Sequence, residues 1–106
     1  MTLAKATPEP YFLVLTWPLN AHWAEKTIKL FGELANQGIQ RVVVNMEHVS
    51  FIDSHGLAAL VKGAKLLGGE VQDLQLAALQ AQAKFFLRLT RFDQVFQVFE
   101  DISALK

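Results

Sequence analysis

Cysteine is absent from this 106-residue chain, which excludes disulfides and thiolate metal sites and fits a reducing compartment. An excess of charge of one sign is also missing, since ten basic side chains balance ten acidic ones. Binding nucleic-acid phosphates or an anionic membrane surface draws on a basic excess, so neither kind of partner is expected. No apolar run approaches the ~20 residues that cross a bilayer, and residues 1–10 lack the apolar core of a signal peptide. The expectation is a cytoplasmic protein with no direct membrane insertion. Glycine is sparse and forms no phosphate-cradling loop, and no pair of acids stands in a recognisable catalytic pattern. Asp53-Ser54-His55 carries the letters of a catalytic triad, but consecutive residues at a helix start point in different directions. Neither an enzyme nor a bound cofactor is expected.

What the chain does have is apolar content. Apolar residues make up 52% and charged residues 19%, so the chain should fold, and its length suits one domain over residues 1–106. Residues 3–6 read as a short edge strand ended by Pro8-Glu9-Pro10, because proline is kept out of central strands. Tyr11-Phe12-Leu13-Val14-Leu15-Thr16 is short and rich in aromatic and β-branched residues, the pattern of a buried strand. Asn20 is placed to cap a helix with the stripe Ala24, Ile28, Phe31, Leu34 and Ala35, and Gly38 offers the left-handed position that ends it. The unbroken run Val42-Val43-Val44 predicts a strand over 41–46 at the sheet centre. Asp53-Ser54 signals a helix start, followed by the stripe Leu57, Leu60, Val61, Ala64 and Leu67 and closed by Gly68-Gly69. Beyond it come a strand centred on 74–77, a helix over 81–89, a strand over 95–99 and a last turn over 102–105 capped by Asp101. Phe85, Phe86, Phe92, Phe96 and Phe99 are expected in the core.

This alternation predicts an α/β fold: a mixed, largely parallel sheet of four to five strands packed with three to four helices. Right-handed crossovers bring residues 17–23 and 47–55 to one edge, beyond the C-terminal ends of the strands. Such domains tend to place their sites there.

Residues 41–60 resemble the central signature of STAS domains: an apolar strand, a short loop, Phe51-Ile52-Asp53-Ser54, then Gly56-Leu57. Among STAS proteins the stretch is similar to the anti-sigma factor antagonists. The resemblance implies a STAS-type fold along the whole chain and Ser54 as the residue phosphorylated by a partner anti-sigma factor serine kinase. It further implies release of that kinase on phosphorylation, and a PP2C-type phosphatase that reverses the modification. Two places depart from the family pattern. His55 stands where a second small residue is usual, and Trp17-Pro18-Leu19-Asn20 stands for the usual Gly-x-Leu-Asp. Asn20 thus replaces the aspartate that helps organise phosphoryl transfer in the family. Gly56-Leu57-Ala58-Ala59-Leu60 is also similar to a segment of STAS accessory subunits of ABC-type lipid transporters, which implies constitutive docking as the alternative.

A serine at a helix start can accept backbone N–H bonds while its hydroxyl stays near solvent. Phosphorylation adds about −1.5 to −2 charges there, at the positive end of the helix macrodipole. The fold should tolerate that charge, so a switch would act on binding. The expected partner-contact residues are Asn20, Asp53, Ser54, His55, Gly56 and Leu57, with Gly56 keeping the surface low beside Ser54. The plainer alternatives are an ordinary N-cap serine and a loop carboxylate. His22, His48 and His55 fall near the same edge as Glu47 and Asp53, but their spacing matches no zinc pattern and no metal is expected. Trp17 and Trp23 flank Asn20, as core residues or, if exposed, as partner contacts.

Overall fold

The structure, a computed structural model, describes residues 10–68, 70 and 74–101. In chain order its elements are β1 (Tyr11–Val14), α1 (Ala21–Asn36), β2 (Val42–Asn45), α2 (Ser54–Leu66), β3 (Leu74–Ala77), α3 (Ala81–Thr90), a 3-10 turn (Phe92–Gln94) and β4 (Gln97–Phe99). The edge strand expected over 3–6 and the last turn over 102–105 lie outside the described residues.

The four strands form one sheet in the order β1-β2-β3-β4, every pair parallel. The expected mixture therefore resolves into a parallel sheet among the described residues. Register aligns Tyr11, Val42 and Leu74, and two residues on Leu13, Val44 and Leu76, so these share one face. That face meets Phe31 and Leu34 of α1, Leu57, Leu60 and Ala64 of α2, and Ala83 and Leu87 of α3 in one core. β2 is buried at all four residues, as its unbroken valine run requires of a central parallel strand.

β1 departs from the expected buried strand. Leu13 is buried, but Phe12 and Val14 are exposed, because β1 ends the described sheet and the second face is open there. The phenylalanine expectation holds in part: Phe96 is buried and Phe86 and Phe92 pack on the core, but Phe85 is 60% exposed. Ala83 and Leu87 set the buried line of α3, and Phe85 and Leu89 fall off it.

Close approaches fix how α2 sits. A Cβ at Gly63 would lie 2.5 Å from the Phe31 ring, so glycine lets α1 and α2 pack together. Gly38 ends α1 at φ +84°, the left-handed position its sequence context suggests. No helix among the described residues is long and apolar enough to cross a membrane.

Candidate functional site

The two segments expected to share an edge do meet. Leu19 bridges to Ile52 in parallel fashion: Leu19 N–H donates to Phe51 C=O at 2.8 Å, and Asp53 N–H donates to Leu19 C=O at 3.0 Å. Both Leu19 and Ile52 have no exposure, so an apolar pair anchors the junction. The starts of α1 and α2 are thereby brought side by side.

Each helix is capped by the residue before it. Asn20 is extended (φ −135°) and its Oδ1 accepts from Trp23 N–H at 3.2 Å. Asp53 is likewise extended (φ −127°), and its Oδ1 accepts from His55 N–H at 2.9 Å and Gly56 N–H at 3.1 Å. Asp53 C=O receives the first helical bond, from Leu57 N–H at 2.9 Å.

This geometry corrects the view of Ser54 as an N-cap. Ser54 is the first helical residue; Asp53 caps, and Ser54 is exposed, its hydroxyl without a hydrogen-bond partner among the described residues. The N–H groups that a phosphate on Ser54 would have met at His55 and Gly56 are already bonded to Asp53. His55 is exposed, with Nδ1 3.8 Å from Asp53 Oδ1.

Gly56 also needs a different account. It is buried, and a Cβ there would overlap the Leu19 carbonyl and stand 2.5 Å from the Leu19 Cβ. Its smallness admits the neighbouring loop of the same chain, which accounts for a glycine here without a partner. Leu57 keeps only 7% exposure, as the floor of a trough of about 520 Å³ beside α2. Ser54, Ala58, Val61, Lys62 and Lys65 line that trough from one helix face, with Phe92 opposite. Lys62 stands eight residues beyond Ser54, about 12 Å along the axis, too far for a direct ion pair with a phosphate at the helix start.

Trp17 and Trp23 are half-buried and stacked, 5.9 Å between centroids, with Lys26 Nζ over both rings at 4.6 and 5.1 Å. Thr27 is buried beneath them; its Oγ1 accepts from Trp17 Nε1–H at 2.9 Å and donates to Trp23 C=O at 3.0 Å. The histidines stay dispersed: His22 sits edge-on to Trp23, and His48 Nε2 lies 3.2 Å from Glu47. Among the described residues no three of His, Cys, Asp and Glu gather to hold a metal.

Sequence reasoning misses two glutamines. Gln82 bonds the Ile52 backbone twice, accepting its N–H and donating to its C=O, both at 2.9 Å. Gln80 Nε2 donates to Glu47 C=O at 2.8 Å. Residues 47 and 52 frame the loop that leads into Asp53-Ser54.

Three helices packed with a four-stranded parallel sheet match the STAS fold of solved structures. The chain belongs to the STAS domain family, whose profile matches residues 2–105. No curated protein matches the chain. Among solved structures, it is similar to a Thermotoga maritima protein described as a candidate anti-sigma factor antagonist (TM-score 0.76, 23% identity, covering 96% of this chain and 92% of that one). It is also similar to an anti-sigma-factor antagonist (STAS) domain protein from Planctomyces limnophilus (TM-score 0.68, 19% identity, 87% and 85% covered). The unphosphorylated form of the anti-sigma factor antagonist SpoIIAA matches as well (TM-score 0.66, 15% identity, 93% and 89% covered). The fold is that of these proteins, and the chain resembles anti-sigma factor antagonists.

Proposed function

We propose that this chain is a phosphorylation-switched docking protein of the anti-sigma factor antagonist kind. With Ser54 unmodified it holds an anti-sigma factor serine kinase; phosphate on Ser54 releases the kinase, and a PP2C-type phosphatase restores the first state. The observation that carries this reading is the Ser54 hydroxyl, exposed at the first turn of α2 while Asp53 does the capping. A kinase can reach it without unfolding any element, and no structural bond has to break for the transfer. The contact surface takes in Asn20, Asp53, Ser54 and His55 and runs on along the trough beside α2. The protein acts by binding and not by catalysis, in the cytoplasm where such a kinase finds ATP.

The transporter-subunit alternative draws on the Gly56-Leu57 segment. Gly56 is accounted for by its contact with Leu19, and Leu57 by its burial, so that segment reads as packing. The serine distinguishes the two readings.

Incubating the whole protein with a purified anti-sigma serine kinase from the same organism and Mg-ATP should add one phosphate by intact mass, and Ser54→Ala should take none. An adduct that persists in Ser54→Ala, or a wild type that takes no phosphate, removes Ser54 as the acceptor. In a pull-down, Ser54→Ala should retain the kinase and Ser54→Asp should lose it. Equal retention by both would support constitutive docking instead.

A further inference from the structure

The loop from residue 46 to residue 53 leaves the sheet after β2, yet it must deliver Ser54 to a fixed place. On one side Leu19 bonds Phe51 C=O and Asp53 N–H. On the other, the Gln82 amide bonds both the N–H and the C=O of Ile52. Residues 51–53 are thus bonded as a central strand is, alternately to two neighbours, but the second neighbour is a side chain. Ile52 has no exposure, so without Gln82 its peptide groups would lose their only bonds in a site half-closed to water. Gln80, two residues earlier, holds Glu47 at the loop's other end.

We infer that Gln82 is the positioning residue of the phosphoacceptor turn. Its amide fixes the Ile52 peptide unit, and through it the Asp53 cap and the Ser54 hydroxyl, in the one arrangement a kinase recognises. The inference rests on Ser54 being the acceptor. Gln82 bonds Ile52 and lies outside the capping interactions of Asp53, so its effect on phosphorylation is indirect.

Two variants separate the parts of the clamp. Gln82→Met has similar length and removes both bonds; Gln82→Glu keeps the acceptor for Ile52 N–H and loses the donor. In the unphosphorylated protein, amide hydrogen exchange at Ile52, read by NMR, should quicken about tenfold in Gln82→Met and less in Gln82→Glu. The amides of Val43 and Val44 in β2 should exchange as in wild type. With a purified anti-sigma serine kinase and Mg-ATP, KM for Gln82→Met should rise about twofold or more with kcat unchanged, as the ordered turn falls to half or less of the ensemble from which the kinase selects it. Gln82→Glu should recover part of that loss. Unchanged exchange at Ile52 overturns the clamp. Faster exchange with unchanged KM overturns the positioning role alone, whereas a wild type that takes no phosphate overturns the acceptor reading and this inference together.

Discussion

Gly56→Ala and Gly32→Ala should move stability in opposite directions, although both replace a helical glycine with the best helix former. Intrinsic propensity favours alanine by about 1 kcal/mol at either site. At Gly32 nothing lies within 4 Å of the added methyl, so that gain should stand. At Gly56 the methyl would overlap the backbone carbonyl of Leu19, which no rotamer change relieves. Contacts to the added carbon settle near ~3.5 Å, so the start of α2 or the Leu19 loop must retreat by roughly 1.5 Å. Overpacking of this kind costs about 1–3 kcal/mol. The retreat also strains the two bonds between Leu19 and residues 51 and 53, each contributing about 1 kcal/mol. Set against the propensity gain, the net loss is about 2–4 kcal/mol. At about 5 °C per kcal/mol for a domain of this size, Tm should fall by roughly 10–20 °C in Gly56→Ala and rise by about 5 °C in Gly32→Ala. Thermal unfolding followed by circular dichroism reads both. A Gly56→Ala protein as stable as wild type would refute the packing account, and if it also lost its partner, Gly56 would be a contact residue after all.

Asp53→Ala removes the acceptor for two N–H groups at the start of α2 and should cost about 1 kcal/mol, measured by urea denaturation. Asp53→Asn should recover most of it, since asparagine caps comparably. Arg91 ends α3 at φ +66°, a left-handed conformation that costs a side-chain-bearing residue roughly 1 kcal/mol. Arg91→Gly should therefore raise stability by up to about 1 kcal/mol, visible as a higher urea midpoint at unchanged slope. Asn20→Asp keeps the cap on Trp23 N–H and places an anion at a helix N-terminus, so stability should hold or rise by about 0.3–1 kcal/mol. In a kinase assay the same change should speed phosphorylation of Ser54 if position 20 takes part in the transfer, and an unchanged rate would exclude that role.

Features set by a single segment are legible in the sequence. The valine run marks the central strand, Asn20 the start of α1, Gly38 its end, and the βαβ alternation the edge where residues 19 and 52 meet. Features set by contact between distant segments are not. A glutamine on a helix reads as a solvated surface residue, and nothing local ties Gln82 to a peptide thirty positions earlier. Gly56 looks like tolerance or access until the Leu19 carbonyl is in place beside it. Thr27 interrupts the apolar stripe of α1 as a polar residue, and its bonds to the Trp17 indole and the Trp23 carbonyl account for its burial. On α3 apolar residues occur on more than one face, so periodicity could not separate the buried Ala83 and Leu87 from the exposed Phe85 and Leu89. The Asp53-Ser54 pair signals a helix start without saying which residue caps, and that choice decides whether the hydroxyl is engaged or free.

That choice also bears on how a switch at Ser54 would work. Had serine been the cap, phosphate would exchange one set of backbone bonds for a stronger one, and part of its effect would be spent inside the fold. With Asp53 as cap, the anion-binding N–H groups of His55 and Gly56 are occupied, and the trough's nearest lysine is about 12 Å along the helix. A phosphate on Ser54 is then a dianion beside a carboxylate, with a repulsion of roughly 1.5–2 kcal/mol at ~5 Å in a water-like dielectric. That repulsion acts in the free and the docked chain alike and lowers affinity only as far as docking strengthens it, whereas turning a population from almost all bound to almost all free takes about 5.5 kcal/mol. The difference must come from the partner: desolvation of the phosphate on docking, or an acidic group facing Ser54 across the interface. Salt separates the two contributions, because charge repulsion across a wet rim is screened and desolvation is not. If the affinity gap between Ser54→Ala and Ser54→Asp closes with rising ionic strength, an acidic face on the partner dominates; if it persists, burial of the modified residue does.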